Sequence, residues 1–246
     1  MRALTADDVP WMVELMAQRR ALYETFSPVF WKRSAQAREV HGPHLASCLA
    51  SGRHCGFRTD DAFVLGEVQD AATPPWWSEV TLGFVDDFAV TSDAEWADDG
   101  VTLLAAVWHE LARHGVETLR VVAGRRDIAK VAVLEHLGLT VGESWWIALA
   151  VGDRRGEASF GPVNSDGVAG LVIPAPPVYD PGGPVFLALS IEDSASVPDV
   201  PRIAGECGAV LAIVSTTPAT PELSEAVGLA GFDEVTRYYV GAPSDR

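Results

Sequence analysis

Val80-Thr81-Leu82-Gly83-Phe84-Val85-Asp86-Asp87-Phe88-Ala89-Val90 is a strand-like apolar run that carries two adjacent carboxylates, and Gly100-Val101-Thr102-Leu103-Leu104 then opens a helix. Val101, Leu104, Ala105, Trp108, Leu111 and Ala112 fall on one face of that helix, and Gly115 closes it. Leu119–Ala123 is a short buried strand by its unbroken apolar run. Ile128, Val131, Leu134 and Leu137 repeat at helical spacing up to Gly138, and Ser144–Val151 reads as a further strand. This alternation predicts an α/β (α+β) fold with a mixed central sheet flanked by helices.

Working outward, Thr5 and Asp8 form a capping-box pair ahead of a helix that must stop before Ser27-Pro28. A second helix is expected from about Ala35 to Ala50, with a break at Gly42-Pro43. Ala62–Val68 is a strand, and Asp70–Trp77 is turn-rich. Residues 152–169 are polar, charged and glycine-rich, and are read as a linker between a domain at 1–151 and a shorter one at 170–246. The shorter one repeats the order of the first. Leu119-Arg120-Val121-Val122 is answered by Leu211-Ala212-Ile213-Val214, and Leu137-Gly138-Leu139 by Ala230-Gly231-Phe232. Trp145-Trp146 is answered by Tyr238-Tyr239, so a degenerate, shortened second half is expected. Such a half cannot bury a full sheet alone and is expected to dock on the first domain, with a homodimer left open as the assembly.

The charge balance narrows the partners. Eighteen basic against 34 acidic residues leave a formal charge of −16, and only Lys32 and Lys130 of the bases are lysines. A chain with no basic stripe gains nothing from phosphate counterion release, so nucleic acid is excluded as a partner, while a cationic amine is favoured. No apolar run reaches the roughly 18 residues of a membrane span, and no membrane partner is expected. Cys48, Cys55 and Cys207 make no disulfide framework, and the expected compartment is the cytoplasm.

The strand ending at Phe88-Ala89-Val90, the loop into Gly100 and the helix ending Leu137-Gly138-Leu139 resemble the GNAT superfamily of acyl-CoA-dependent N-acetyltransferases. The resemblance covers about residues 1–151, with a partial second copy in 170–241. It implies acetyl-CoA as co-substrate and transfer of an acetyl group to a small amine. It also implies that the Phe88, Ala89 and Val90 backbone orients the acyl arm, and that the N–H groups of Gly100 and Val101 meet a diphosphate. Arg125 and Arg126 are further candidates for a phosphate contact. Asp86 and Asp87 are the candidate bases, since alternation along a strand turns at least one of them to the cleft. The chain departs from the family pattern at Glu95 and Asp98, where a Gln/Arg and a Gly are usual. Leu134 and Val227 stand at the position of the proton-donating Tyr, and Asp127 stands where an Asn is usual. A catalytically silent GNAT-fold protein with a binding or assembly role is therefore the alternative.

Other constellations carry less. His109, Glu110 and His114 fail the i, i+4 spacing of a zinc-protease pair. His41, His44, Cys48, His54 and Cys55 are of ligand-forming types, but the break at Pro43 argues against a common face, and no metal is expected. Trp11, Tyr23, Phe30 and Trp31 are read as core, with an acceptor-pocket lining as the alternative.

Overall fold

The computed structural model describes residues 1–71, 81–152 and 160–242. The chain divides into two compact units, one formed by 1–23, 35–141 and 238–246, the other by 24–34 and 142–237. The fold is α/β, with mixed strand directions and flanking helices in each unit. Among the described residues no helix is long and apolar enough to cross a membrane.

In the first unit, β1 (Arg2–Ala3), β2 (His54–Arg58), β3 (Ala62–Gln69), β4 (Leu82–Val90) and β5 (Leu119–Gly124) lie side by side in that order. The first four pair antiparallel, and β5 joins β4 in parallel. Phe63, Leu65 and Ala89 face α1 (Val9–Phe26) and α2 (Ala37–Ala50) on one side. Val64, Val85, Phe88 and Val90 face α3 (Asp99–Arg113) and α4 (Ile128–His136) on the other. That alternation, residue by residue along Phe63, Val64 and Leu65, is the pleat of a strand buried on both faces.

α1 begins where the sequence places it: the Asp8 carboxylate accepts from the Thr5 backbone N–H at 2.9 Å and the Thr5 hydroxyl at 3.0 Å. α2 corrects the expectation of a break, since it runs through Pro43 without interruption. Pro43 and Glu39, four residues before it, both lie on the exposed side, so the carbonyl that loses its helical donor is left to water.

The second unit orders its strands as β6 (Thr140–Leu149), β10 (Leu211–Thr216), β9 (Val185–Ile191), β8 (Val168–Ile173) and β7 (Gly161–Ser165). β7 and β8 correct the reading of 152–169 as a linker throughout, because part of it pairs as a hairpin around Asp166-Gly167. Residues 153–159, and 72–80 in the turn-rich Asp70–Trp77 stretch, lie outside the described residues. Phe186, Ala188, Val200, Ile203, Ala204 and Val227 form this unit's core with α5 (Val200–Glu206) and α6 (Pro221–Leu229). β11 (Asp233–Gly241) begins in this unit and ends in the first.

Both units run through three antiparallel strands, a 3-10 turn, a helix, a parallel strand and a second helix. Each also bulges at the same point. One extra residue is inserted in β4 opposite Val64–Gly66, and one in β9 opposite Ala169-Gly170.

Gly66 lies beneath α3, where an added Cβ would stand 2.7 Å from Val107 Cγ2 and 3.0 Å from Leu111 Cδ1. Gly66→Ala is therefore expected to destabilise the protein by about 1–3 kcal/mol. Gly228→Ala, in α6 with open space around it, should instead gain up to about 1 kcal/mol. Urea unfolding midpoints of the two variants check the opposite signs.

Candidate active site

Asp86 and Asp87 sit in the β4 bulge. Pairing passes from Gly66↔Val85 to Val64↔Phe88, so two β4 residues oppose Leu65 alone. Regular alternation would send the two carboxylates to opposite faces; the inserted residue puts both on the α2 face. There they line a cavity of about 290 Å³ together with His44, Cys48, His54, Leu65, Glu67 and Phe84.

The two carboxylates have different surroundings. Asp87 is mostly buried; its Oδ1 lies 3.1 Å from His41 Nε2 on α2 and 3.9 Å from an Arg20 guanidinium nitrogen on α1. Burial works against its charge, but the His41 hydrogen bond and the His41 and Arg20 charges hold its pKa below the usual carboxylate range. Asp86 is reached by solvent through the cavity and has no such partner among the hydrogen bonds and ion pairs found. Desolvation by the cavity walls, and then the Asp87 charge, push its pKa up. Two adjacent carboxylates are thus driven apart, one kept ionised and one poised to take a proton.

A second polar cluster lies where β4 and β5 diverge. Their pairing is found at Gly83↔Leu119, Phe84↔Arg120 and Val85↔Val121 and does not extend to Phe88–Val90. Tyr23 donates from its hydroxyl to Asp127 Oδ2 at 2.7 Å, and its oxygen accepts from the Gly124 N–H at 3.5 Å. Arg19 is ion-paired with Asp127, reaches Asp93 Oδ1 at 2.9 Å, and stacks over Trp96. Lys130 is 1% exposed, its Nζ 5.3 Å from the Phe88 ring centroid and 5.7 Å from that of Trp96. Burial pushes its pKa down to about 8. Asp127 also accepts from the Lys130 N–H as the cap of α4. The departure from Asn at this position thus supplies a carboxylate to a buried guanidinium.

The remaining expected site residues are placed as follows. Phe88, Ala89 and Val90 are buried, with Phe88 against Trp96. Gly100 lies under Trp96, whose Cε3 would stand 2.7 Å from an added Cβ, and Val101 is half-buried. Asp61, Glu95 and Asp99 gather carboxylate oxygens within 4.8 Å of one another beside this helix start. That concentration of charge does not fit a diphosphate. Arg125 and Arg126 are exposed in the turn between β5 and α4. Trp11 packs on Phe63, and Trp31 on Tyr179 in the second unit, so these are core residues rather than lining of the Asp86 cavity. Residues the sequence reading left out are Arg19 and Arg20, whose position on a mixed helical surface gives no sign of burial. In the second unit the bulge carries Leu189-Ser190 instead of two carboxylates.

No model of a known protein family matches the chain, and no curated protein matches its sequence. Solved structures do match. A "putative acetyltransferase" from Thermoplasma acidophilum superposes with a TM-score of 0.58 at 11% identity, over 98% of this chain and 98% of that one. Another from Pyrococcus horikoshii gives 0.53 at 12% identity, over 99% and 89%. A GCN5-related N-acetyltransferase from Kribbella flavida gives 0.48 at 14% identity, over 98% and 71%. The chain shares the fold of the Thermoplasma acidophilum and Pyrococcus horikoshii structures.

Two predictions follow from the buried cluster. Asp127→Asn leaves Arg19 without its buried counter-charge and is expected to cost about 3–5 kcal/mol in urea unfolding. The unfolded chain holds the Lys130 proton up to about 10.5, whereas the folded chain sheds it near 8. Between those values the unfolded state binds more protons, so stability rises with pH. Relative to Lys130→Met, the wild type should therefore gain stability across that window, as read by urea titrations at its two ends.

Proposed function

We propose that the chain is a GNAT-type N-acyltransferase that moves an acetyl group from acetyl-CoA to a small amine bound in the Asp86 cavity. The observation that carries this reading is the β4 bulge, which turns Asp86 and Asp87 to one cavity and divides their pKa values. The acidic chain as a whole supports a cationic acceptor.

An amine enters as its ammonium, and Asp87, held ionised by His41 and Arg20, contributes the attracting charge. Asp86 takes the ammonium proton, which frees the nitrogen lone pair for attack. Acetyl-CoA, when bound, supplies an acyl group activated as a thioester. The nitrogen forms the new C–N bond as the C–S bond breaks, the CoA sulfur leaves as a thiolate and takes up the second proton that the acylated nitrogen sheds, and positioning provides most of the acceleration. On this reading the donor's contacts are the Phe88–Val90 backbone edge, beyond the last β5 pair, and Arg125 and Arg126. The start of α3 is not among them.

Asp86→Asn is expected to lower kcat/KM for an amine acceptor about 10²–10⁴-fold with the fold intact. In the wild type kcat/KM should rise with pH as Asp86 loses its proton, because the base form is the active one. Absence of acetyl-CoA binding by calorimetry, with no turnover across an amine panel, would remove this reading.

A second reading is favoured by a specific observation. Tyr23, Arg19, Trp96 and Lys130 occupy the space where β4 and β5 diverge, and carboxylates surround the start of α3. An amine-binding GNAT-fold protein without transfer fits both facts. It is the outcome if amines bind, Asp86→Asn abolishes that binding, and acetyl-CoA does not bind.

A further inference from the structure

The floor of the Asp86 cavity is a patterned square. Glu67 on β3 lies directly opposite Phe84 on β4, and Leu65, two residues before Glu67, lies opposite the bulge that carries Asp86. All four side chains line the cavity. Glu67 and Asp86 therefore take opposite corners, and Leu65 and Phe84 take the other two. Residues on such a diagonal stand about 7–8 Å apart. The floor thus offers an acid, an apolar crossing and a second acid.

The protein supplies no cation to those two corners. Arg20 and His41 serve Asp87, but among the described residues neither Glu67 nor Asp86 makes an ion pair with a lysine or arginine, and none lines the cavity. Burial, then the Asp87 and Glu67 charges, push the Cys48 thiol on α2 up to about 11, so it stays uncharged. The Glu67 corner is also prepared for an N–H donor. Gln69 donates to Glu67 Oε2 at 3.1 Å, and Oε1 lies 4.0 Å from His54 Nε2. Ser51 Oγ donates to the Cys48 carbonyl at 2.8 Å, so its hydrogen is committed there. Its contact with His54 Nδ1, also 2.8 Å, is then made by the Nδ1–H donating to the hydroxyl oxygen. Burial holds the His54 pKa below its ordinary value, so no second proton is expected on the ring at neutral pH. His54 Nε2 is left as a lone pair facing a carboxylate oxygen.

We infer that the amine this cavity takes is a diamine, with a primary ammonium at each end of a short polymethylene chain. The reacting nitrogen lies at Asp86, the distal ammonium lies between Glu67 Oε1 and His54 Nε2, and the methylenes cross between Leu65 and Phe84. The inference rests on the reading of the Asp86 cavity as an amine site and adds Glu67 as its specificity-determining residue. An ammonium suits the distal seat because its N–H bonds diverge at the tetrahedral angle. Hydrogen bonds of about 2.9 Å then hold two acceptors roughly 4–5 Å apart. The diagonal of about 7–8 Å between the two acidic residues suits a chain of roughly three to five methylenes. A longer chain overshoots one corner, and a monoamine satisfies Asp86 while leaving two acceptors opposed at Glu67. Ser51 and Gln69 are positioning residues: one fixes the His54 tautomer and the other the Glu67 carboxylate.

The test is calorimetric titration of the full-length protein, without acetyl-CoA and at one ionic strength, with butane-1,4-diamine and n-butylamine, and then with octane-1,8-diamine and n-octylamine. Each pair differs by one amino group, so the ratio of affinities within a pair isolates the distal seat from chain hydrophobicity. The expected result is a ratio of about tenfold or more for the four-carbon pair and a smaller one for the eight-carbon pair. Glu67→Gln should bring the four-carbon ratio close to one. Equal binding of butane-1,4-diamine and n-butylamine, a ratio that ignores chain length, or a ratio that survives Glu67→Gln overturns the inference. If Glu67→Gln proves unfolded by circular dichroism, His54→Ala decides: an unchanged ratio overturns the distal seat, and a reduced one supports it. Binding is read without the thioester, so the two readings fail separately. Transfer to monoamines and diamines alike removes only the diamine, a diamine preference without turnover removes only the transfer, and no amine binding at all removes both.

Discussion

Adjacent residues of a regular strand cannot present their side chains to the same face, and everything chemical in the first unit depends on how β4 escapes that rule. The extra residue opposite Leu65 turns Asp86 and Asp87 together toward α2. Two carboxylates so close repel, and one of them must be neutralised or compensated. Arg20 and His41, from two different helices, compensate Asp87. Asp86 is left facing the cavity with its neighbour's charge beside it, and desolvation together with that charge raises its pKa above the usual carboxylate range. The bulge therefore sets the direction of the side chains and, through them, the division of acid strength.

The same logic explains why some of this was legible in the sequence and some was not. The apolar periods of α3, β5 and α4 are dictated by burial, and burial leaves a pattern: the frame from Leu82 to Leu139 is found where it is expected. A bulge leaves none. It is set by register against a neighbouring strand, and Gly66 on that neighbour reads equally well as a breaker. The helix through Pro43 is illegible in the sequence for a related reason. The cost of a proline depends on whether the bereaved carbonyl can meet water, which is a property of the face and not of the residue. The β7–β8 hairpin hides in polar, glycine-rich sequence because its strands are short and half-exposed, so no apolar run announces it.

Arg19 and Lys130 show how the same strand–loop–helix frame can carry an unexpected distribution of charge. At the start of α3 the expected anion-binding surface is acidic, with Asp61, Glu95 and Asp99 clustered. One layer inward the charge is reversed, with a guanidinium and an ammonium buried around Trp96 and Phe88. Neither cation is tolerable there alone. Asp127 compensates Arg19 from the cap of α4, and Asp93 does so from the turn before α3. The acids of that loop are thus partly explained by the interior: Asp93 serves a buried partner, and Asp99 accepts from Thr59 at 2.6 Å. Glu95 and Asp61 have no such role among the described contacts of buried groups, and it is they that make the surface hostile to a polyanion.

The second unit supplies an internal control on which features belong to the fold and which to chemistry. It keeps the strand directions, the bulge and the small residue opposite it, with Gly170 in the place of Gly66. An added Cβ at either glycine would collide, with Val107 in one unit and with Phe186 and the Leu187 carbonyl in the other. Bulge and glycine are therefore demands of packing that both units meet. The carboxylates are not: β9 carries Leu189-Ser190 at the corresponding point, and no packing argument requires an acid on β4. Two adjacent charges that the architecture does not need, kept beside a cavity at a cost in repulsion, are best accounted for by what enters that cavity.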